Sequence, residues 1–312
     1  MSFTPPTEEE LAAVEALKNR FERENPDANY KFSTIATLRF YRGRKRVEED
    51  TIKAMTKHLK WRETNDVDDI PNHIEKFQDE LNSGKLEVKG YDTTGRPAVF
   101  IYAGKHDKND RDILQMELLI IHTLELLLKR AKPDEERIMI CFDLSGFKMS
   151  CMDYDVVKLL IGILDFNYPE TLSRCLIINA PFIFYACWAV IRPWLDPVTA
   201  AKVMFINANK LSEHIVDVPP TVVVDESAPK LESGLSNVEE TASTSSGGVY
   251  VPPPPPISTT INGFECPTPP NPGSPVASAA AIKQFDNEFN QVPPEARKSG
   301  VEEEPAQPNC QI

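Results

Sequence analysis

The stretch "NAPFIFYACWAVIRPWLDP", residues 179–197, is unusually apolar for an acidic chain. No charged side chain occurs from Ala180 to Ile191, and four residues of that run are aromatic. The run is too short to span a bilayer, which requires about 20 mostly apolar residues. Pro181 and Pro193 predict one short helix that begins near the first proline and ends at the second. A buried core helix is the simplest interpretation of such a segment.

Helix-like and strand-like segments alternate on both sides of this stretch. Residues 85–104, "KLEVKGYDTTGRPAVFIYAG", predict two strands joined by the turn residues Asp92 to Gly95. The later part of the chain alternates in the same way, with helices predicted at 112–130, 153–166 and 196–202 and strands at 137–144, 174–180 and 203–208. This alternation predicts an α/β fold, in which helices cover a mostly parallel sheet of about five short strands.

The first seventy residues have a different, purely helical pattern. Residues 7–21, "TEEELAAVEALKNRF", begin with a capping box formed by Thr7 and Glu10. Two further helices are predicted within "STIATLRFYR" and "VEEDTIKAMTKHLKWRE". We therefore expect a helical module over residues 1–70 and a sheet-containing domain over residues 71–218.

The residues after Val218 have the composition of a disordered tail. Seventeen of the 27 prolines fall there, and large apolar residues are sparse. Such a segment cannot bury enough apolar surface to offset its ordering entropy, so we expect residues 219–312 to be disordered. The run Pro252–Pro256 is either a polyproline ligand for a partner domain of the SH3 or WW type or a passive linker.

The charge and cysteine patterns exclude several classes of protein. The tail has 12 acidic and 4 basic residues, so it carries −8 of the net charge of −13 and leaves −5 for the folded part. Generic attraction to nucleic acid or to an anionic membrane is therefore not expected. The six cysteines form no CxxC pair, the opening residues do not resemble a signal peptide, and Cys310 stands third from the end rather than fourth. The pattern indicates a reduced, cytoplasmic and unanchored chain.

Motifs of covalent chemistry are missing from the sequence. It contains no GxGxxG, phosphate-loop, GxSxG or HExxH pattern and no zinc-ligand spacing. Asp143, Asp153 and Asp155 are the candidates for an acidic cluster, but we expect Asp153 and Asp155 in the first turn of a helix, where the dipole favours anions. We therefore predict neither an enzyme nor a metal site, and no cofactor.

Two short polar clusters are candidates for binding a phosphate group. "LRFYRGRKR" holds five basic side chains within residues 39–46, which form either a phosphate site or a solvated face paired with the acids of residues 48–50. In "DPVTAAK", Thr199 and Lys202 are three residues apart and hence neighbours on one helical face. This pair either contacts a phosphate oxygen or belongs to an ordinary exposed turn.

Taken in order, these segments resemble the CRAL-TRIO lipid-transfer family. "ATLRFYRGRK" and "HLKWRE" look like its helical N-terminal region, and "GRPAVF", "FDLSGF", "NYPETLSRCLIINAPFIF" and "RPWLDPVTAAK" look like successive signatures of its lipid-binding domain. The similarity covers about residues 30–215 and is greatest to Sec-fourteen-like phosphatidylinositol transfer proteins. It implies a sheet that floors an apolar pocket for one lipid, closed by a mobile gate.

The resemblance also assigns residues to the two parts of the site. Residues 182–200, here called the gate segment, match the mobile gate. Its apolar side chains that are expected to line the pocket or meet the membrane are Phe182, Phe184, Tyr185, Trp188, Ile191 and Trp194. The family's headgroup-binding residues correspond to Arg44, Glu170, Thr199 and Lys202.

Two departures from the family pattern affect the expected ligand and the end of the domain. Ile138 and Ile140 occupy positions where relatives that also carry phosphatidylcholine have hydroxyl residues, so a choline lipid is in doubt and a sterol or isoprenoid becomes an alternative. The usual closing proline, aromatic and Gly-Gly pattern is missing after residue 215.

The sequence thus predicts a protein that exchanges phosphatidylinositol between membranes in membrane trafficking. We expect a monomer that contacts membranes transiently from the cytoplasm. The alternative from another class is a lipid-sensing adaptor that recruits partners through its proline-rich tail.

Overall fold

A computed structural model describes residues 4–217 and the backbone of two short strands further along the chain. Those strands, Thr260–Ile261 and Phe264–Glu265, pair with each other in antiparallel fashion. The rest of the predicted tail, including Pro252–Pro256, lies outside the described residues. All other elements described here belong to residues 4–217.

Three helices form the N-terminal region, as the sequence predicts. They are α1 (Glu8–Glu24), α2 (Thr34–Gly43) and α3 (Glu48–Thr64). The capping box is present, since the Glu10 amide donates to the Thr7 hydroxyl and the Thr7 amide to the Glu10 carboxylate. Apolar side chains from all three helices form one core, which includes Val14, Leu17, Phe21, Leu38, Phe40, Met55 and Leu59. A short helix, α4 (Gln78–Asn82), follows.

Among the described residues a six-stranded mixed sheet forms the centre of the fold. Its strands are β1 (Leu86–Asp92), β2 (Pro97–Tyr102), β3 (Ile138–Asp143), β4 (Leu172–Ile178), β5 (Val203–Phe205) and β6 (Ile215–Val216). The order is β5-β4-β3-β2-β1-β6; β2 to β5 run parallel, and β1 is antiparallel to both of its neighbours. The sequence predicts about five strands, and the structure has a sixth, β6. This strand pairs with the outer edge of β1 and brings the chain back to the sheet after residue 214.

Helices connect the parallel strands, which is the usual way of crossing from one parallel strand to the next. They are α5 (Ile113–Arg130), α6 (Tyr154–Asn167), α7 (Phe182–Ile191) and α8 (Pro197–Ala201). The crossovers begin at the carboxyl ends of the strands and end at their amino ends. As predicted, α7 begins directly after Pro181 and ends before Pro193, which lies in a 3-10 turn.

The two faces of the sheet pack against different parts of the chain. On one face, Phe142, Ile177 and Phe205 pack with α6 and α7. On the other face, Phe100, Met139 and Leu176 are among the buried side chains that pack against Leu211 and Ile215 of the C-terminal segment. In residues 4–217, no helix combines the length and the apolar character that crossing a membrane requires.

Candidate functional site

Two of the predicted headgroup residues meet where adjacent crossovers end. The crossover through α6 ends at Glu170, just before β4, and the crossover through α7 and α8 ends at Lys202, just before β5. Because β4 and β5 are parallel neighbours, these two ends lie side by side, and the Lys202 ammonium is 3.4 Å from the Glu170 carboxylate. Lys202 is only 7% exposed, so the alternative of an ordinary exposed turn does not hold for it. Its amide donates to the Thr199 carbonyl at 3.0 Å, which places the threonine one turn away.

Helix α2 carries Arg44 to the same edge of the sheet. Arg44 is the residue at which α2 ends, and the preceding Gly43 packs so closely on Pro169 that an added Cβ would lie 2.9 Å from the Pro169 Cβ. Arg44 therefore follows a helix that is in direct contact with the turn bearing Glu170. The charge of Arg44 also acts on Asp165, which the charge of Lys202 reaches as well.

Arg39 holds the turn that bears Glu170. Its guanidinium is buried and donates to the Thr171 hydroxyl at 2.5 Å, the Glu136 carboxylate at 2.6 Å and the Pro169 carbonyl at 3.4 Å. The Glu170 backbone has φ 55°, a conformation uncommon for residues other than glycine. The bonds to the residues on both sides of Glu170 stabilise this backbone conformation, from which its carboxylate extends.

Two other basic side chains of the cluster at 39–46 share a structural partner. Arg42 and Arg46 both bind the Glu10 carboxylate, at 2.7 and 2.8 Å, and lower its pKa to about 2. Their partner is thus an acid of α1 and not one of the acids at 48–50 that were the alternative to a phosphate site, and Glu49 pairs with Arg20. Arg42 and Arg46 therefore stabilise the N-terminal region, whereas Arg44 belongs to the candidate site.

Asp165 has a raised pKa and has no counterpart among the residues predicted from the sequence. It is half-buried in the last turn of α6. Burial and the nearby Asp196 carboxylate raise its pKa to about 6, while Arg44 and Lys202 act in the opposite direction. A signal was present in the sequence, because an acid in the last turn of a helix opposes the helix dipole.

Helix α7 has one buried face and one exposed face, although nearly all its residues are apolar. Phe184, Cys187 and Ile191 are buried, whereas Phe182 is 83% exposed and Ile183 about half exposed. The simple interpretation as a buried core helix is therefore wrong for half of the surface of α7. An exposed apolar helix face of this kind is typical of a surface that meets another molecule or a membrane.

The buried face of α7 lies on the sheet. The rings of Tyr185 and Phe205 stack with centroids 5.4 Å apart, Trp188 contacts Phe205 at 5.6 Å, and Phe184 contacts Phe147 at 5.4 Å. These aromatic contacts bring α7 directly against β5.

Both ends of the gate segment are held by specific contacts. Before its start, the Asn179 amide donates to the Asp143 carboxylate at 2.9 Å and to the Ser145 hydroxyl at 2.8 Å. Toward its end, Trp194 packs edge-on against Tyr154 at 5.6 Å, and the Lys158 ammonium lies 5.2 Å from the Trp194 ring. The exposed part of α7 therefore lies between two fixed ends.

Asp153 has a structural role, and two of the buried cysteines are unreactive. Asp153 caps α6 as predicted, by accepting from the amides of Asp155 and Val156, and it pairs with Arg111 at 2.7 Å. Within the described part of the chain, no group of three or more histidine, cysteine or acidic side chains is arranged to bind a metal ion. Burial raises the pKa of the Cys141 and Cys175 thiols, that of Cys175 to about 12, so neither is a reactive thiolate at neutral pH.

A cavity of about 210 Å³ lies between the N-terminal helices and the α5–α6 region. Its lining mixes charged and aromatic side chains, among them Arg39, His58, Glu125 and Tyr168. None of the residues that pack around α7 takes part in it. This polar cavity is therefore separate from the expected apolar lipid pocket.

Comparison with known proteins agrees with this architecture. The profile of the CRAL/TRIO domain matches residues 81–220. A CRAL-TRIO domain-containing protein of Schizosaccharomyces pombe is 34% identical over 57% of this chain and 42% of its own length. The phosphatidylinositol transfer protein CSR1 of Eremothecium gossypii is 36% identical over 57% of this chain and 43% of its own length.

A third relative and a solved structure extend the comparison. The phosphatidylinositol transfer protein PDR17 of Saccharomyces cerevisiae is 26% identical over 54% of this chain and 51% of its own length. The chain thus spans about half or less of the length of these three relatives. The crystal structure of Sfh5 superposes with a TM-score of 0.54 at 19% identity, covering 71% of this chain and 88% of Sfh5, and supports the fold. Together the matches confirm the family resemblance.

Proposed function

Because this chain carries a CRAL/TRIO domain at residues 81–220, we propose that it binds one phosphatidylinositol molecule and exchanges it between membranes without covalent chemistry. The observation that carries this proposal is the convergence of Arg44, Glu170 and Lys202 beside the end of an apolar, half-exposed gate segment. The names of two relatives, both phosphatidylinositol transfer proteins, support the same ligand.

The energetics of lipid transfer explain why an apolar gate is useful. Each buried methylene is worth about 0.8 kcal/mol, so two acyl chains resist extraction into water by on the order of 25 kcal/mol. A protein that docks on the bilayer and offers an apolar pocket avoids most of this cost. The apolar contribution then changes little during exchange, and the polar headgroup contacts select the lipid.

The headgroup contacts follow from the charges at the site. Arg44 and Lys202 suit the phosphate, and the Glu170 carboxylate accepts hydrogen bonds from inositol hydroxyls. Thr199 lies one turn from Lys202, and its hydroxyl is the fourth proposed headgroup contact. The Glu170 carboxylate lies 3.4 Å from the Lys202 ammonium, and a bound headgroup would take both as partners.

The gate opens when α7 separates from Phe205 and exposes Phe184, Tyr185 and Trp188 to acyl chains. Phe182 and Ile183 are already exposed and are the first side chains to meet the bilayer. Tyrosine and tryptophan suit this boundary because each joins an apolar ring to a polar group. The expected contact is peripheral and transient, at the cytoplasmic face of a membrane.

A fluorescence assay of phosphatidylinositol transfer between vesicles tests the headgroup assignment. We expect Arg44→Ala and Lys202→Ala to lower the transfer rate at least tenfold. Arg46→Ala is the matched control, since it removes the same charge two residues away, from a side chain that binds Glu10 and not the proposed headgroup site. Transfer at the wild-type rate by both Arg44→Ala and Lys202→Ala would refute the assignment.

Two refinements of this function have their own experiments. Ile138 and Ile140 are fully buried on β3, where relatives that carry a choline lipid have hydroxyl residues. Mass spectrometry of lipids that copurify with the chain decides between a choline lipid and a sterol or isoprenoid as second ligand.

The adaptor alternative rests on Pro252–Pro256, which the structure does not describe. Deletion of residues 219–312 separates the two functions, because a carrier keeps its transfer activity and an adaptor loses its partner.

A further inference from the structure

Met149 is the most exposed methionine in the described part of the chain. The sequence has seven methionines, and all but Met1 fall within residues 4–217. Met149 is 48% exposed and Met204 is half-buried, whereas the other four are buried: Met55, Met116, Met139 and Met152. Because exposure decides which sulfur an oxidant in solution reaches, Met149 is the methionine of this region that a peroxide attacks first.

The sulfur of Met149 also contacts the gate segment. Met149 begins a 3-10 turn, Met149–Cys151, and its Sδ accepts from the thiol of Cys187 on α7 at 3.9 Å. Cys187 is buried, and its Sγ lies 3.8 Å from the Ile183 carbonyl oxygen one turn earlier in α7. Apolar residues beside Met149 belong to the cluster that packs around α7: Phe147, Cys151 and Met152. One side chain thus presents an oxidisable sulfur both to solvent and to the buried face of the gate helix.

We propose that Met149 is a site of reversible oxidation by a peroxide, and that its sulfoxide weakens the closed position of α7. With hydrogen peroxide, one oxygen is transferred to Sδ. The O–O bond breaks, an S–O bond forms, the sulfur is oxidised by two electrons, and the peroxide is reduced to water. The consequence for lipid exchange rests on the proposed function, because only there does α7 act as a gate.

The sulfoxide is a poor partner for the closed helix. Its oxygen takes up lone-pair density of the sulfur, so Sδ no longer serves as the acceptor for the Cys187 thiol. The oxygen is also polar, and it favours water over the apolar cluster around α7. We therefore expect the oxidised side chain to turn towards solvent, which about half of its surface already meets.

Loss of this contact shifts the balance between the closed and open positions of α7. The contact between Met149 and Cys187 is made by the closed helix, so removing it raises the population of the open state. More frequent opening exposes the amides of α7 to hydrogen exchange. It also presents more apolar surface of the gate segment to a bilayer.

Peroxide treatment of the full chain, followed by peptide mass spectrometry and hydrogen exchange, tests the proposal. We expect Met149 to be oxidised before Met152, which is only 6% exposed in the neighbouring cluster. The amides of α7 should then exchange at least about threefold faster than in the untreated chain. A pair of methionine sulfoxide reductases, one for each epimer, should restore the original exchange rate.

Two variants separate Met149 from the other oxidisable groups, which include Met1 and the cysteines. Met149→Leu keeps an apolar side chain of similar size, and its α7 should exchange at the same rate before and after peroxide. Met149→Gln places a polar side chain of similar length there, and it should exchange rapidly without any peroxide. The proposal is wrong if Met152 is oxidised before Met149, if oxidised Met149 leaves α7 exchange unchanged, or if peroxide speeds exchange equally in wild type and Met149→Leu.

These measurements do not depend on lipid transfer. If the untreated chain transfers no phosphatidylinositol, the proposed function fails, whereas α7 exchange still decides whether Met149 controls the helix. Flotation with vesicles of phosphatidylcholine and phosphatidylinositol tests the consequence for membranes. Oxidised wild type should bind them more tightly than oxidised Met149→Leu, and equal binding would overturn that consequence.

Discussion

Phe182 and Phe184 are two residues apart on α7 and differ almost completely in exposure. Phe182 is 83% exposed at the start of the helix, and Phe184 is buried against Phe147. The same substitution, phenylalanine to alanine, therefore removes a membrane-facing ring at one position and a core ring at the other. This pair separates the contribution of the gate segment to membrane contact from its contribution to stability.

The expected magnitudes follow from the two exposures. Burying a phenylalanine side chain is worth about 1.5–3 kcal/mol, and nearly all of the Phe182 surface remains available to a bilayer. Phe182→Ala should therefore weaken vesicle binding by about tenfold to a hundredfold while changing the free energy of unfolding by less than about 0.5 kcal/mol. Phe184→Ala should lower the free energy of unfolding by about 3–5 kcal/mol, since it leaves a cavity in the core.

Vesicle flotation, lipid transfer and urea unfolding measure these effects on the same protein samples. Leu11→Ala on α1 is the control for loss of an exposed apolar side chain elsewhere, and should leave vesicle binding unchanged. The exposed face of α7 has no role in membrane contact if Phe182→Ala binds vesicles and transfers lipid like wild type. Equal destabilisation by both substitutions would contradict the division of α7 into two faces.

Two further predictions concern the headgroup end of the site. Gly43→Ala should lower phosphatidylinositol transfer about tenfold, because the new Cβ forces α2 and Arg44 away from Pro169, and transfer at the wild-type rate would contradict this role of Gly43. The free energy of unfolding should change by less than about 2 kcal/mol, since the gain in helix propensity offsets part of the overpacking. The pKa of Asp165 is higher in the folded state, so its ionisation costs stability as the pH rises from about 4 through about 6. In urea unfolding, Asp165→Asn should therefore have the same free energy of unfolding as wild type at pH 3.5 and a higher one at pH 7.5, by at most about 3 kcal/mol. A difference between the two proteins that does not widen with pH contradicts the raised pKa of Asp165.

Local patterns in the sequence were sufficient for most of the fold. The capping box at Thr7, the proline limits of α7 and the alternation of helices and strands depend on neighbouring residues, and the structure confirms them. The two-residue strand β6 is too short to produce a pattern of its own. The partner of Arg42 lies 32 residues away at Glu10, so nearby acids were the wrong candidates.

The sequence could not predict which face of α7 is exposed. Because apolar residues surround the whole helix, its sequence contains no polar stripe that marks the outer face. Only the packing on Phe205 and Phe147 shows that Phe184 points inward and Phe182 outward. The raised pKa of Asp165 likewise depends on charges from elements that are distant in sequence.

The gate segment and two of the proposed headgroup residues, Thr199 and Lys202, belong to one connection, from β4 to β5. The chain leaves β4 at Asn179, which is bonded to Asp143, and enters β5 at Lys202, which is bonded to Glu170 and whose carbonyl accepts from the Cys175 amide. In the proposed opening, the residues that move with α7 lie between these two points. A headgroup that binds Lys202 therefore acts two residues beyond the gate segment, whereas acyl chains act on its middle. We expect the headgroup to select the lipid while the gate is open, because Arg44, Glu170 and Lys202 belong to the sheet edge and need not move with α7.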